Sequence, residues 1–161
     1  PDALVKQLTT NTAIMLYDNY GVPTMVVRPG YLIRPGQHKS KFIPYVIEQL
    51  RKGEPLNVSP CEQRRDFIHV DVFSLDIHGL LKHADRVVGK IVNVSSGQSI
   101  SLRQIIDFYK EALHSTSEIN YGALSYRENE AMDLRCNIGK LLMIVNTEHD
   151  EMNAFKSLIK E

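Results

Sequence analysis

The chain has 161 residues, 43% of them hydrophobic and 24% charged, enough to bury one core and fold as a single domain over 1–161. Lysine plus arginine equals aspartate plus glutamate at 19 each, which excludes a global basic field for nucleic acid or an anionic membrane, so any anion site must be local. No charged leader precedes an apolar run and no apolar stretch reaches bilayer length, which predicts a soluble, cytoplasmic protein.

Leu4, Leu8 and Met15 recur at helical spacing beside Val5, Thr12 and Leu16, and Gly21 with Pro23 stops the pattern, predicting a helix over residues 3–19. Thr24 to Arg28 is short, β-branched and bounded by prolines, which predicts a buried strand leading into a loop from Pro29 to Gln37. Ser40 is placed to cap a helix carrying Phe42, Ile43, Val46, Ile47 and Leu50, ended by Gly53. Strands are expected at Leu56–Ser59 and Asp66–Val70, separated by the polar run Pro60 to Arg65. Asp71 is the expected cap of a helix with an apolar stripe of Val72, Phe73, Ile77, Leu80 and Leu81, followed by a strand from Lys90 to Val94.

Ser101 and Gln104 have capping-box spacing ahead of Leu102, Ile105, Ile106, Tyr109 and Leu113, predicting a helix over 102–114. A short strand at Glu118–Tyr121 precedes a loop and two helical stretches, about 138–143 and 151–160. Strands alternating with helices predict an α/β architecture with parallel pairing. Cys61 and Cys136 read as two reduced structural thiols, and His78 and His83, five apart, do not share a helical face, so no metal site is expected.

Several motifs stand in a set order: Tyr20-Gly-Val-Pro23, Arg28-Pro29 with Pro35-Gly-Gln37, Phe42-Ile-Pro44, and Gln63-Arg-Arg-Asp-Phe-Ile-His-Val-Asp71. Val92-Asn-Val-Ser-Ser-Gly97 with Ser101-Leu102 follows, then Tyr121-Gly-Ala123 with Tyr126-Arg127 and Glu130. In this order and spacing the chain, from Lys6 to about Lys140, resembles the NAD-dependent epimerase/dehydratase family, the extended short-chain dehydrogenases that act on nucleotide-linked sugars. The run from Gly122 to Glu130 is most similar to its deoxysugar enzymes. The resemblance implies the C-terminal part of an extended Rossmann-type fold, a small mixed sheet with flanking helices, without the N-terminal dinucleotide-binding half.

It also implies roles. Arg65 and Arg127 match the family arginines that hold the diphosphate, and a guanidinium is suited to that by its planar fork of donors and permanent charge. A lone Arg65 would read instead as a salt bridge to Asp66 or Asp71, and Arg64, without motif support, as solvated. Phe42 and Ile43 sit where the family lines its nucleotide pocket, with ordinary core as the competing reading, and Val58 would lie along the base. Tyr31 stands in the sugar-facing loop and Pro29 beside the cofactor. Asn93, polar within an apolar strand, is read as structural.

The implied ligands are a nucleotide-diphosphate sugar and NAD or NADP, the latter not held by this chain alone because no Gly-x-Gly-x-x-Gly occurs. Lys6 falls on the family's catalytic lysine, and Asp2 on the position of its catalytic tyrosine. A carboxylate with a reference pKa of about 4 cannot give the proton that a tuned phenol gives, so catalysis is not assured. Val72 replaces a family aspartate, and Met143 to Thr147 replaces Leu-Gly-Trp-x-Pro, so a remodelled or loose tail is expected. Without a partner half, Leu4, Leu8 and Met15 lose a packing face, which predicts a homo-oligomer or a partner chain over the first helix and strand. The two readings are a nucleotide-sugar enzyme part and a degenerate binding or scaffolding protein of the same fold.

Overall fold

The computed structural model describes residues 2–159. A long helix α1 (Asp2–Tyr20) leads into strands β1 (Val26–Pro29) and β2 (Tyr31–Ile33), helix α2 (Phe42–Lys52), and strands β3 (Leu56–Val58), β4 (Arg64–Arg65) and β5 (Phe67–His69). Helices α3 (Val70–Lys82) and α4 (Ala84–Val87), strands β6 (Ile91–Val94) and β7 (Ile100–Ser101), and helix α5 (Leu102–Ala112) come next. Strands β8 (Ile119–Tyr121) and β9 (Asp133–Leu134) and helices α6 (Gly139–Leu142) and α7 (Glu151–Ser157) complete the order. The pairings β1–β6, β2–β5 and β3–β8 are all parallel, while β4 lies between antiparallel β7 and parallel β9. This is the expected α/β class, with crossover helices joining parallel strands.

Each helix follows from its own residues. Ile43, Val46, Ile47 and Leu50 form one buried face of α2 at spacings of three and four, and Gly53 ends it at φ 70, a left-handed cap that glycine adopts without a Cβ clash. Ser40 does not cap it: its hydroxyl bonds His38 Nδ1 at 2.8 Å, and Lys41 precedes the helix without a side-chain cap. Helix α5 has the expected capping box, Gln104 N–H donating to Ser101 Oγ and Ser101 N–H to Gln104 Oε1, each at 3.1 Å. Helix α3 begins two residues earlier than a cap at Asp71 implies, and its cap is His69, whose Nδ1 accepts from Asp71 N–H at 3.2 Å. Asp71 thus donates its N–H to the capping ring and is not itself the cap, and it contributes its charge in the first turn.

Two apolar clusters lie on either side of the strands. One joins α2, α5 and β3 with Phe67 and the tail residues Phe155 and Leu158; the other joins Ile68 and Leu80 with Val92, Val94, Leu141 and Val145. The tail is remodelled and packs: Phe155 is 1% exposed, and the Tyr109 hydroxyl donates to its carbonyl at 3.1 Å. His149 Nε2 stands 3.3 Å from Asp76 Oδ2, an ion-pair distance between an almost buried ring and a fully buried carboxylate. Residue 160, the expected end of the last helix, lies outside the described residues.

The strand ends are tied together by Asp66. Its Oδ1 accepts from Ser95 Oγ at 2.5 Å, Ser96 Oγ at 2.7 Å and Ser96 N–H at 3.1 Å. Its Oδ2 accepts from Gly97 N–H at 3.2 Å and Cys136 N–H at 3.0 Å. Gly30 follows β1 in the same knot, where a Cβ would fall 1.9 Å from Ser95 Oγ and 2.9 Å from the Asp66 carbonyl oxygen. Only a residue without a side chain fits there.

Removing the Asp66 charge while keeping its shape, Asp66→Asn, should cost about 3 kcal/mol of unfolding free energy, since hydrogen bonds to a buried charge are worth roughly 1.5–3 kcal/mol each and two amide hydrogens would face donors. Gly30→Ala should cost about 1–3 kcal/mol by overpacking. Urea titration followed by circular dichroism checks both, and midpoints equal to that of the parent chain would refute the knot.

Candidate functional site

The residues 62–66 and 126–136, sixty positions apart, run side by side. Arg64 and Arg65 pair in register with Asp133 and Leu134, and the flanking bonds Arg64 N to Met132 O at 2.7 Å and Asp66 N to Leu134 O at 3.1 Å extend the match. Upstream, the Glu62 N–H donates to the Tyr126 hydroxyl at 3.2 Å. The stretches carrying Arg65 and Arg127 are therefore neighbours.

Their two guanidinium groups have different surroundings. Arg65 is almost buried, with its Nη1 donating to the Arg64 carbonyl at 2.7 Å and the Ala131 carbonyl at 2.8 Å. Its Nη2 is ion-paired with the Glu130 carboxylate. The ion pair expected of a lone Arg65 is present, but to Glu130, because Asp66 faces the opposite way into its knot and is saturated there. Arg127 is exposed, and its carbonyl accepts the Glu130 N–H at 3.1 Å across the turn. Arg64 is not solvated as expected: Nε donates to Ser99 Oγ at 3.2 Å and Nη2 to the Ser99 carbonyl.

Tyr31 completes this face. It pairs in register with Phe67, its ring centroid lies 5.6 Å from that of Phe67, and the Arg65 guanidinium carbon is 5.9 Å from its ring. A cavity of about 320 Å³ opens beside it, lined by Pro29, Gly30, Tyr31, Asp66, Arg135 and Cys136 among others. Arg135 was not singled out by sequence and Cys136 only as a structural thiol; they follow β9, which is laid along β4. Burial, and then the nearby Asp66 charge, push the Cys136 thiol up, and burial pushes Cys61 up, so both are held protonated and unreactive.

A second cavity, about 750 Å³, lies between α1 and β1. Lys6 and Pro29, the two residues assigned to the cofactor, both line it. The side chain of Asp2 lies outside the described residues. Ile43 on α2 and Val58 on β3, 3% and 7% exposed, are core side chains packed with Phe42 in the first apolar cluster, and neither lines either of these cavities. Asn93 is structural, its amide donating to the Asn137 carbonyl at 3.0 Å.

Among the described residues, no group of three histidine, cysteine, aspartate or glutamate side chains could hold a metal ion. Lys6 and the β1 end offer a wall for one end of a dinucleotide, but no glycine-rich turn opens a helix to receive a pyrophosphate, so these residues fit only part of such a cofactor. No helix of the described residues is long and apolar enough to cross a membrane.

The family model described as "NAD dependent epimerase/dehydratase family" matches residues 3–95. The chain belongs to this family. CDP-abequose synthase of Salmonella muenchen is 35% identical over 97 residues, 60% of this chain and 33% of the relative. The same enzyme of Salmonella typhimurium is 30% identical over 110 residues, 66% of this chain and 37% of the relative. The chain thus spans about a third of the length of these curated relatives. Among solved structures, the dTDP-glucose 4,6-dehydratase of Bacillus anthracis in complex with NAD matches with a TM-score of 0.82 at 18% identity, over 94% of this chain and 48% of that one. The UDP-glucuronic acid 4-epimerase of Bacillus cereus, in complex with UDP-glucuronic acid and NAD, gives 0.81 at 16% identity, over 92% and 48%. At these identities the likeness establishes the fold, that of the extended short-chain dehydrogenases.

A family phenol that gives a proton must titrate near the working pH. Tyr121 is pushed the other way, by burial and by its 2.6 Å hydrogen bond to Asp107, and burial pushes Tyr109 up as well. A phenol whose folded pKa is raised favours the folded state below its ordinary value, about 10, and that contribution is lost as pH rises through the raised value. In an absorbance titration at the tyrosinate band, Tyr121→Phe and Tyr109→Phe should leave the rise below about pH 11 unchanged and remove amplitude only above it. Loss of amplitude in the lower step would contradict the assignment.

Proposed function

We propose that this chain is the nucleotide-sugar-binding part of an NAD(P)-dependent sugar-nucleotide epimerase, dehydratase or 4-keto reductase, inactive by itself. The observation that carries the proposal is the register of β4 with β9, which supports Arg65 and Arg127 acting on one pyrophosphate from two distant stretches of sequence. Arg65 would meet one phosphoryl group from a fixed plane, and Arg127 the other from the exposed turn. Tyr31, beside the 320 Å³ cavity, would face the sugar. NAD or NADP, when bound, supplies hydride chemistry; Lys6 and Pro29 would stand along its nicotinamide ribose, in the cavity they share. The CDP-abequose synthase relatives make cytidine diphosphate the first nucleotide to try.

A degenerate binding or scaffolding protein is the second reading. It is favoured by one observation: Asp2 occupies the position of the family's tyrosine, so the proton donor beside Lys6 is absent from the sequence. Both readings keep the diphosphate site, so the binding test precedes the catalytic one. Isothermal calorimetry with CDP, UDP, dTDP and their sugars should show binding, and Arg127→Ala should weaken it about tenfold or more, the loss of one charge-assisted contact. Equal affinity in the variant would end the diphosphate assignment.

The same reading makes 1–161 one folding unit, acting in the cytoplasm without nucleic acid or membrane, and completed by a second copy or a partner chain. Leu4, Val5 and Leu8 are 64%, 59% and 55% exposed on α1, and β1 has no second strand beside it among the described residues. Such surfaces favour association. Light scattering at micromolar concentration should find an oligomer that Leu8→Glu shifts toward monomer; a monodisperse parent monomer would refute this arrangement.

A further inference from the structure

The Arg65–Glu130 contact is more than a fold-stabilising bridge. Two carbonyls, of Arg64 and Ala131, hold Arg65 Nη1 at 2.7 and 2.8 Å, so the guanidinium is fixed in its plane and cannot swing out to meet an anion. Tyr31 lies 5.9 Å from the guanidinium carbon and takes up one side of it. An anion must therefore approach along Nη2, and that donor is ion-paired with the Glu130 carboxylate. Side-chain exposures of 9% for Arg65 and 17% for Glu130 put both partners largely out of water, Glu130 the more exposed of the two.

Glu130 is also the partner able to leave. It ends an exposed turn with Arg127, Glu128 and Asn129, and Asn129 adopts φ 58, a left-handed conformation that asparagine tolerates. The turn is held by the Glu130 N–H to Arg127 carbonyl bond and by Tyr126 to Glu62, neither of which involves the Glu130 side chain. Rotating that side chain outward breaks its pairing with Arg65 and leaves both of those turn bonds in place, with Arg127 exposed three residues earlier on the same turn.

We propose that Glu130 is an internal competitor for Arg65, so that a ligand binds only if its negative charge is enough to displace a carboxylate from that donor. The inference rests on the reading of Arg65 as a phosphate-binding residue and adds the selection it imposes. A singly anchored phosphate exchanges one anion for another at Arg65 with little gain. A pyrophosphate displaces Glu130 and engages Arg127 on the same turn, so the site selects diphosphates over monophosphates by charge and span.

Calorimetry on the full chain with inorganic pyrophosphate, inorganic phosphate and CDP tests this. In Glu130→Gln, which keeps the length and removes the charge, pyrophosphate should bind about tenfold tighter and phosphate should gain at least as much, narrowing the difference between them. Glu130→Asp keeps the charge with a shorter reach and should fall between; it reads the same competition if Glu130→Gln does not fold. Unchanged or weaker pyrophosphate binding in these variants, with CDP binding intact in the parent chain and weakened by Arg65→Lys, would overturn the competition while leaving the diphosphate site standing. Failure of the parent and every variant to bind CDP or pyrophosphate would overturn the reading of Arg65 and this inference together.

Discussion

One buried carboxylate organises the strand ends. Asp66 sits between β4 and β5 and accepts five hydrogen bonds, four from the Ser95–Gly97 exit of β6 and one from the tail at Cys136. Three separate parts of the chain thus meet at a single charge. An isolated buried carboxylate is very costly, and saturation with donors is what makes this one tolerable. The consequence is directional: with its side chain committed to the knot, Asp66 leaves Arg65, next along the strand, to point the other way, toward β9 and the Arg127 turn. Alternation along a strand converts a structural aspartate into the positioning of a candidate ligand arginine.

The site therefore stands where parallel strands end and loops begin, the usual place for ligands in open α/β folds. Gly30 allows β1 to be followed at once by β2 because nothing larger fits against Ser95 and the Asp66 carbonyl. Tyr31 then pairs with Phe67, and Phe67 packs edge-on against Phe155 with centroids 5.6 Å apart. The tail is thereby part of the support of the site: a residue near position 155 holds the strand that holds the tyrosine beside Arg65. This gives the departure of the tail from the family pattern a physical meaning, since Val145 and Phe155 fill the two apolar clusters by a route of this chain's own.

Local signals were legible in the sequence wherever one segment contains all the residues that decide it. The Ser101–Gln104 capping box, the four-residue apolar face of α2 and the Gly53 stop are complete within a dozen residues, and each is present in the structure. The order of the motifs likewise pointed to the family and the fold class. What was missed depends on contacts across long separations. The loop expected from Pro29 is partly strand because β5 supplies a partner for Tyr31 to Ile33; β4 and β9 are two residues each, β9 pairing with β4 and β4 with both β7 and β9. Arg64 finds Ser99 beside its antiparallel partner β7, while Arg65 finds Glu130 and Arg135 reaches a cavity on the β9 side. The caps at Ser40 and Asp71 failed through a histidine two residues upstream: His38 engages the Ser40 hydroxyl and leaves α2 without a side-chain cap, and His69 takes the capping role expected of Asp71.

The chemistry open to these residues follows from charge and protonation. Proton transfer at a sugar oxygen needs a donor tuned close to the working pH. The described phenols nearest the core are tuned away from it, Tyr109 donating to the Phe155 carbonyl and Tyr121 to Asp107 under a stacked Arg103 guanidinium 3.9 Å from its ring. Both act as struts. The thiols are likewise held protonated. Lys6 lines a large cavity between α1 and β1, and Pro29 also lines the cavity beside Tyr31. Pro29 belongs to both cavities, so the end of β1 is the one place where a bound diphosphate sugar and a group lying along α1 would come together. Gly30 and Asp66 fix the backbone at that strand end.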